Sequence, residues 1–342
     1  MAKTKQSGSA VQRRAQERQQ RQRREETRVS TLNKGKGPTM RKKDRSGLYM
    51  IVGVLTLIVA LVIVFVVLSR QPAQSNSNPN LKPVAADATV VQLLTGVSQS
   101  TWETVGTGGL PNPFQYVSGQ PPLKGPHGHP QFFYVGAEYC PNCAAERWAM
   151  INALSRFGTF SKLSQMQSFE NNISTFSFVG SSYTSQYVDF VPREILGNSV
   201  DSSGQSYVSQ DKLTAAEQQN FTRYNSGQTF PFANINNTYI LTAASYNPQV
   251  LLDGASHSLS WQTIVTSLTN TKSPIAQGIL GTANYMTAAI CSETNQQPGS
   301  VCNSAVIQQI EHGLKKTSQN AGNSPVALAP ADLRAAVRRV LG

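Results

Sequence analysis

The chain has 342 residues, of which 39% are hydrophobic and 14% charged, with 30 Lys or Arg against 18 Asp or Glu for a net charge of +12. That leaves room for one large domain with an elaboration, and it excludes a uniformly basic protein, because the charge is local. Residues 1–46 hold 15 Lys or Arg against Glu17, Glu25, Glu26 and Asp44, and the remainder of the chain is close to neutral.

The basic tail, residues 1–46, interleaves no aromatic side chains and matches no nucleic-acid reader, so no nucleic acid is expected as a partner. Disordered or partly helical, it reads as a topology signal that also touches anionic lipid. Leu48–Leu68 follows, 21 residues without a charge. At ~1.5 Å per residue this run crosses the ~30 Å core of a bilayer. It is longer than the apolar core of a signal peptide and has no polar face, so a single transmembrane helix is expected over residues 47–69. Arg41, Lys42, Lys43 and Arg45 precede it, and Arg70 stands nearly alone after it. By the positive-inside rule the N-terminus is cytoplasmic and the C-terminal domain lies outside the cell membrane. Residues 70–83, rich in Ser, Asn, Gln and Pro, are expected to form a flexible linker, and residues 84–342 the extracytoplasmic domain.

Within that domain a helix is expected over Ala88–Val97, then a stretch that is mostly loop, Gly106–Pro130, with a short strand at Phe114–Val117. Gln131–Gly136 follows Pro130 and reads as a buried central strand. Next come Cys140-Pro141-Asn142-Cys143 and a helix-forming run, Ala144–Leu154, in which Trp148, Ile151 and Leu154 keep helical spacing before Gly158 stops it. A thiol pair at a strand-to-helix junction is disulfide-exchange geometry. The positive end of the helix favours a thiolate on the first cysteine. Thr175–Val179 is a second strand, ended by Gly180 and Ser181. An insert of about residues 181–229 follows, with a helix at Ala215–Tyr224. Phe230-Pro231-Phe232 then introduces a hairpin, Ala233–Ile235 and Thr238–Leu241, joined by Asn236 and Asn237, which tolerate the left-handed backbone of a tight turn. Helices are expected over Leu259–Leu268 and Ala331–Leu341.

Two further groups carry possible chemistry. Cys291 and Cys302 flank Asn295, Pro298 and Gly299, which suggests two helices tied across a turn by a structural disulfide; a second redox pair relaying electrons to Cys140 is the rival reading. His127 and His129 lie in a Gly- and Pro-rich loop upstream of the central strand. A solvated turn is their ordinary reading, and a metal site shared with the Cys pair is the alternative.

From Gln131 onward the order is strand, helix, strand, insert, proline, hairpin, helix. With Cys140-Pro-Asn-Cys143 and Pro231, this resembles the thioredoxin superfamily. Over Gly136-Ala-Glu-Tyr-Cys-Pro-Asn-Cys-Ala-Ala-Glu-Arg-Trp148 and Ala153-Leu-Ser-Arg-Phe-Gly158 it is similar to the membrane-anchored, thioredoxin-like family known as domain of unknown function 929. The resemblance implies an α/β, thioredoxin-like fold with a helical insertion. It also implies a cis Phe230–Pro231 bond against Cys140, where its backbone would meet a substrate chain. Cys140 would be the nucleophile and Cys143 the resolving thiol. Glu138 reads as a solvated strand-end carboxylate, with a proton acceptor for Cys143 as the alternative; Tyr139 and Phe230 would shape the groove, and Glu146, Arg147 and Trp148 would be a surface pair and a core anchor.

The expectation is therefore a membrane-tethered thiol-disulfide oxidoreductase without a cofactor, exchanging with protein thiols or disulfides of the cell envelope. The alternative is a thioredoxin-like binding module that holds a metal ion or only a structural disulfide.

Overall fold

The computed structural model describes residues 79–316. The basic tail, the expected span over 47–69, linker residues 70–78 and the expected helix Ala331–Leu341 lie outside the described residues. Among the described residues no helix is long and apolar enough to cross a membrane. The end of the expected flexible linker is docked on the domain. Pro79–Leu81 form a 3-10 turn, and Asn198 Nδ2 donates to the Leu81 carbonyl over 2.7 Å.

Strand β1 (Val84–Ala85) leads to α1 (Ala88–Thr95), whose first amides are capped by Asp87, and to α2 (Gln99–Val105), capped by Ser98. Gly96 ends α1 just short of the expected Val97. Helix α2 was not expected, since seven residues are too few to establish a period. Then follow β2 (Gln115–Tyr116), β3 (Gln131–Ala137) and α3 (Pro141–Leu154). Four short strands come next: β4 (Gly158–Ser161), β5 (Ser164–Gln167), β6 (Ser174–Ser177) and β7 (Ser182–Ser185). The long β8 (Asp189–Val200), β9 (Tyr207–Ser209) and α4 (Ala215–Tyr224) lead to the hairpin of β10 (Phe232–Ile235) and β11 (Tyr239–Leu241). Helices α5 (Trp261–Ser267), α6 (Pro274–Glu293), α7 (Gly299–Cys302) and α8 (Ala305–Lys316) complete the described chain.

The class is mixed α/β. Six strands form one sheet in the order β2-β11-β10-β3-β8-β9, and smaller sheets pair β1-β5-β6 and β4-β7. Strand β3 is buried at all seven positions, with β8 parallel on one side and β10 antiparallel on the other, which is why its sequence shows no alternation. The hairpin turn has Asn236 and Asn237 at φ 54° and 62°, the left-handed pair a two-residue connection requires.

Two expectations are corrected here. The parallel partner of β3 is β8, whereas the expected second strand, Thr175–Val179, overlaps β6 in the three-stranded sheet. The insert 181–229 is also not mainly helical, since it holds β7, β8 and β9 beside the single helix α4. Pro192, Arg193, Glu194 and Gly197 interrupt the apolar pattern of β8. Strand β9 pairs only from Leu196 onward, so Pro192 lies where β8 has β3 as its ladder neighbour, an edge that tolerates a missing donor.

Helix α3 is buried from Cys143 to Leu154 and packs along α6. The two share one apolar cluster with Phe132 and Tyr134 of β3. Helix α6 is buried almost all round and so shows no apolar stripe in sequence. At Gly281 a side chain would meet the Thr107 carbonyl oxygen at 2.5 Å, so the loop after α2 approaches α6 as closely as it does because of that glycine.

Candidate active site

Strand β3 delivers the chain to the site and α3 organises it. Cys140 is the N-cap of α3, with an extended backbone (φ −79°, ψ 124°), and its sulfur accepts the Cys143 amide at 3.4 Å. Pro141 takes the first helical position, where the amide it lacks would have had no partner. The two sulfurs are free; Cys140 is 7% exposed and Cys143 fully buried. The Cys140 thiol is held below its ordinary pKa, chiefly by the hydrogen bond from Cys143. Burial opposes this, and the amides of Cys143 and Asn142 and the charge of Arg147 assist it. The Cys143 thiol is pushed well up by burial, and then by the hydrogen bond and charge of Cys140. Of the two thiols, Cys140 is therefore the one that ionises first.

Both cysteines lie in an apolar cluster with Phe133 and Val135 of β3, Ile195 of β8, Phe221 of α4 and Phe230. Tyr139 stacks face to face on Tyr207 of β9, with ring centroids 3.5 Å apart and planes 1° from parallel, and Phe169 meets Tyr207 edge-on. Burial, followed by the charge of Cys140, raises the Tyr139 hydroxyl far above its ordinary range. Tyr207 donates its own hydroxyl to Glu170 over 2.9 Å. The Phe230–Pro231 bond is cis, and Pro231 is buried. It enters β10 at the end where Phe232 faces Val135, the end at which β3 runs out toward Cys140.

Glu138 is not a solvated carboxylate but buried, because the end of β3 is covered there: its amide donates to the Leu196 carbonyl and its carboxylate accepts the Ser177 hydroxyl. Glu146 and Arg147 are not the surface pair expected of them, because both are fully buried. Glu146 accepts the Ser245 amide at 2.9 Å and the Ser245 hydroxyl at 2.7 Å, and burial pushes its pKa up to about 7. Arg147 forks onto Glu194 of β8, Nε to Oε1 at 2.7 Å and Nη2 to Oε2 at 2.8 Å. Nη2 also donates to the Ala137 carbonyl. Burial works against the Arg147 charge, and the Glu194 carboxylate more than compensates. Glu194 was not anticipated, and its 47-residue separation from Arg147 hides the pair in sequence. The one local signal is the four-residue step from Cys143 to Arg147, which puts both on one helix face.

The other expected residues stand apart from this site. Cys291 and Cys302 are bonded to each other, Cα to Cα 5.5 Å, and tie the end of α6 to α7. His127 and His129 turn to Asp189 instead of the thiols: the His127 amide and Nδ1 lie 2.9 and 2.7 Å from its carboxylate oxygens. Asp189 pairs with Gln131 at the start of β3, a strand's length, ~20 Å at ~3.3 Å per residue, from the Cys140 end. Among the described residues no group of three or more His, Cys, Asp or Glu side chains is arranged to hold a metal ion.

Comparison with curated proteins and with solved structures finds no match. The family model described as Domain of unknown function (DUF929) does match, over residues 115–292, more than half of the chain, and the chain belongs to that family.

Proposed function

We propose that this protein is a thiol-disulfide oxidoreductase of thioredoxin-like architecture, anchored in the cell membrane by residues 47–69, with its domain on the outer side and exchanging with cysteines of envelope or exported proteins. The observation that carries the reading is a pair of unbonded, buried cysteines one helical turn apart, the first capping α3 with its sulfur accepting the amide of the second. The parallel β3–α3–β8 arrangement, with the thiols at the start of the helix and the hairpin entered through a cis proline, supports the thioredoxin-like part. The membrane part rests on the apolar run and its basic flank.

The Cys140 thiolate attacks a substrate disulfide, one substrate thiolate departs, and a mixed disulfide remains. Cys143 then attacks the Cys140 sulfur, the internal disulfide forms, and the second substrate thiol leaves. Run backward, the same steps oxidise a substrate dithiol. What stabilises the Cys140 thiolate also stabilises the reduced pair, and this biases the couple toward giving disulfides away, at ~30 mV for each ~1.4 kcal/mol.

The test is a full-length Cys143→Ser protein expressed in its membrane. The reading expects partner proteins trapped as mixed disulfides on Cys140, released by reductant and absent from a Cys140→Ser, Cys143→Ser double variant. A Cys143→Ser protein that traps nothing, with Cys140 inert to alkylation, overturns it.

A further inference from the structure

We infer that Tyr134 and Arg147 together form a donor site for the Cys143 thiolate, the species needed when the mixed disulfide on Cys140 is resolved. This rests on the redox reading above and adds to it the groups that make its second step possible.

Arg147 has five N–H donors. Nε and Nη2 are committed to Glu194 and the Ala137 carbonyl, whereas Nη1 is buried without a hydrogen-bond partner. The Tyr134 hydroxyl is also buried without a hydrogen-bond partner. It fills the space where a side chain on residue 136 would stand, since a Cβ on Gly136 would lie 1.9 Å from it. Buried donors are costly to leave unpaired, so two of them around one site call for an acceptor. Cys143 is the side chain that both groups share. It precedes Arg147 by one helical turn on α3, and charge on its sulfur acts on both groups.

In the resting pair Cys143 is neutral and gives its proton to the Cys140 sulfur as a hydrogen bond. Once Cys140 is joined to a substrate sulfur, that acceptor is no longer an anion. The Cys143 sulfur then attacks the Cys140 sulfur. A Cys140–Cys143 bond forms, the bond from Cys140 to the substrate breaks, and its electron pair leaves on the substrate sulfur. That sulfur also takes up, in net, the proton that Cys143 gives up. Negative charge gathers on Cys143 on the way, and Nη1 of Arg147 with the Tyr134 hydroxyl are the unspent donors beside it. The other charged or titratable groups acting on this region are Cys140, Tyr139 and Glu194, with Glu138 and Asp211 acting on Glu194. Among these Arg147 supplies the positive charge.

The experiment uses the full-length reduced protein in detergent and an aromatic disulfide that releases a coloured thiolate, dithiobis(nitrobenzoate). The first equivalent reports attack by Cys140 and the second reports resolution by Cys143. Tyr134→Phe should slow the second release about tenfold and move its pH midpoint upward, while the first changes less than twofold. Arg147→Lys, which keeps the charge and loses the fork, should do the same more strongly. If Arg147→Lys does not fold, Tyr134→Phe decides, because removing an unpaired hydroxyl leaves resting stability unchanged or raised. A Tyr134→Phe protein with wild-type second-phase rate and pH midpoint overturns the inference. A wild-type protein that releases one equivalent and never a second overturns the redox reading beneath it as well.

Discussion

Cys140 and Cys143 lie three residues apart and are unbonded, and Cys291 and Cys302 lie eleven apart and are joined. Both pairs are buried, so burial does not separate them. The polar surroundings do. The first pair has a helix start, two amides and the Arg147 guanidinium within electrostatic reach. The second sits at the far end of α6 in the apolar cluster with Ile290, Ile307 and Leu314. On the proposed reading, a buried sulfur serves as a reagent where donors for its anion are built around it, and as a staple where they are not.

The sharpest break of that contrast is Cys140→Ser, expected to abolish release of thiolate from an aromatic disulfide, whereas a Cys291→Ala, Cys302→Ala protein keeps both phases. Retained release in Cys140→Ser would assign the chemistry elsewhere. Next in size is the polar support itself. Glu194→Ala leaves the buried Arg147 charge unpaired and should cost about 3–5 kcal/mol in denaturant unfolding. A loss below ~1 kcal/mol would mean that water or another group already screens Arg147.

Helix α3 should also give the reactive end a pH signature. Glu146 has a folded pKa of about 7 against an ordinary value of 4.5, so the folded state holds its proton more tightly. Its contribution is full below pH 4.5 and is lost as the pH rises through about 7. Glu146→Gln should flatten that slope and gain up to ~3 kcal/mol over wild type above neutrality. Parallel stability curves from pH 5 to 8 would refute the assignment. Smallest is the staple, where the Cys291→Ala, Cys302→Ala protein should lose about 2–3 kcal/mol, as expected for an eleven-residue closure. Unchanged unfolding would show that α7 and α8 hold without it.

Local features were the legible ones. The strand Gln131–Gly136, the cysteine-capped helix and the Asn236–Asn237 hairpin each carry their signal within a few residues, and α4 keeps its expected bounds through the Thr214–Glu217 capping box. What sequence hid was long-range. Strand β8 carries a proline and three charges, Asp189, Arg193 and Glu194, because its first half has one ladder neighbour and because Glu194 serves Arg147. Glu146 reads as a surface carboxylate until Ser245, 99 residues on, covers it. Helix α6 lacks a polar face, so periodicity passes over it. At the site, the two thiols and the proline were readable, whereas Tyr134, Arg147 and Glu194 come together only through the β3–β8 pairing and the turn into α3.

The Tyr139–Tyr207 stack has an optical consequence. Two phenol rings held parallel at 3.5 Å couple their electronic transitions, so the resting protein should carry a near-ultraviolet dichroism band that belongs to this contact. Cys140 keeps only 7% of its surface and shares its apolar cluster with Tyr139, against which Tyr207 packs, so a chain docking on the proposed thiol site would disturb the stack. The band would then fade in step with docking, a label-free gauge of occupancy built into the entrance.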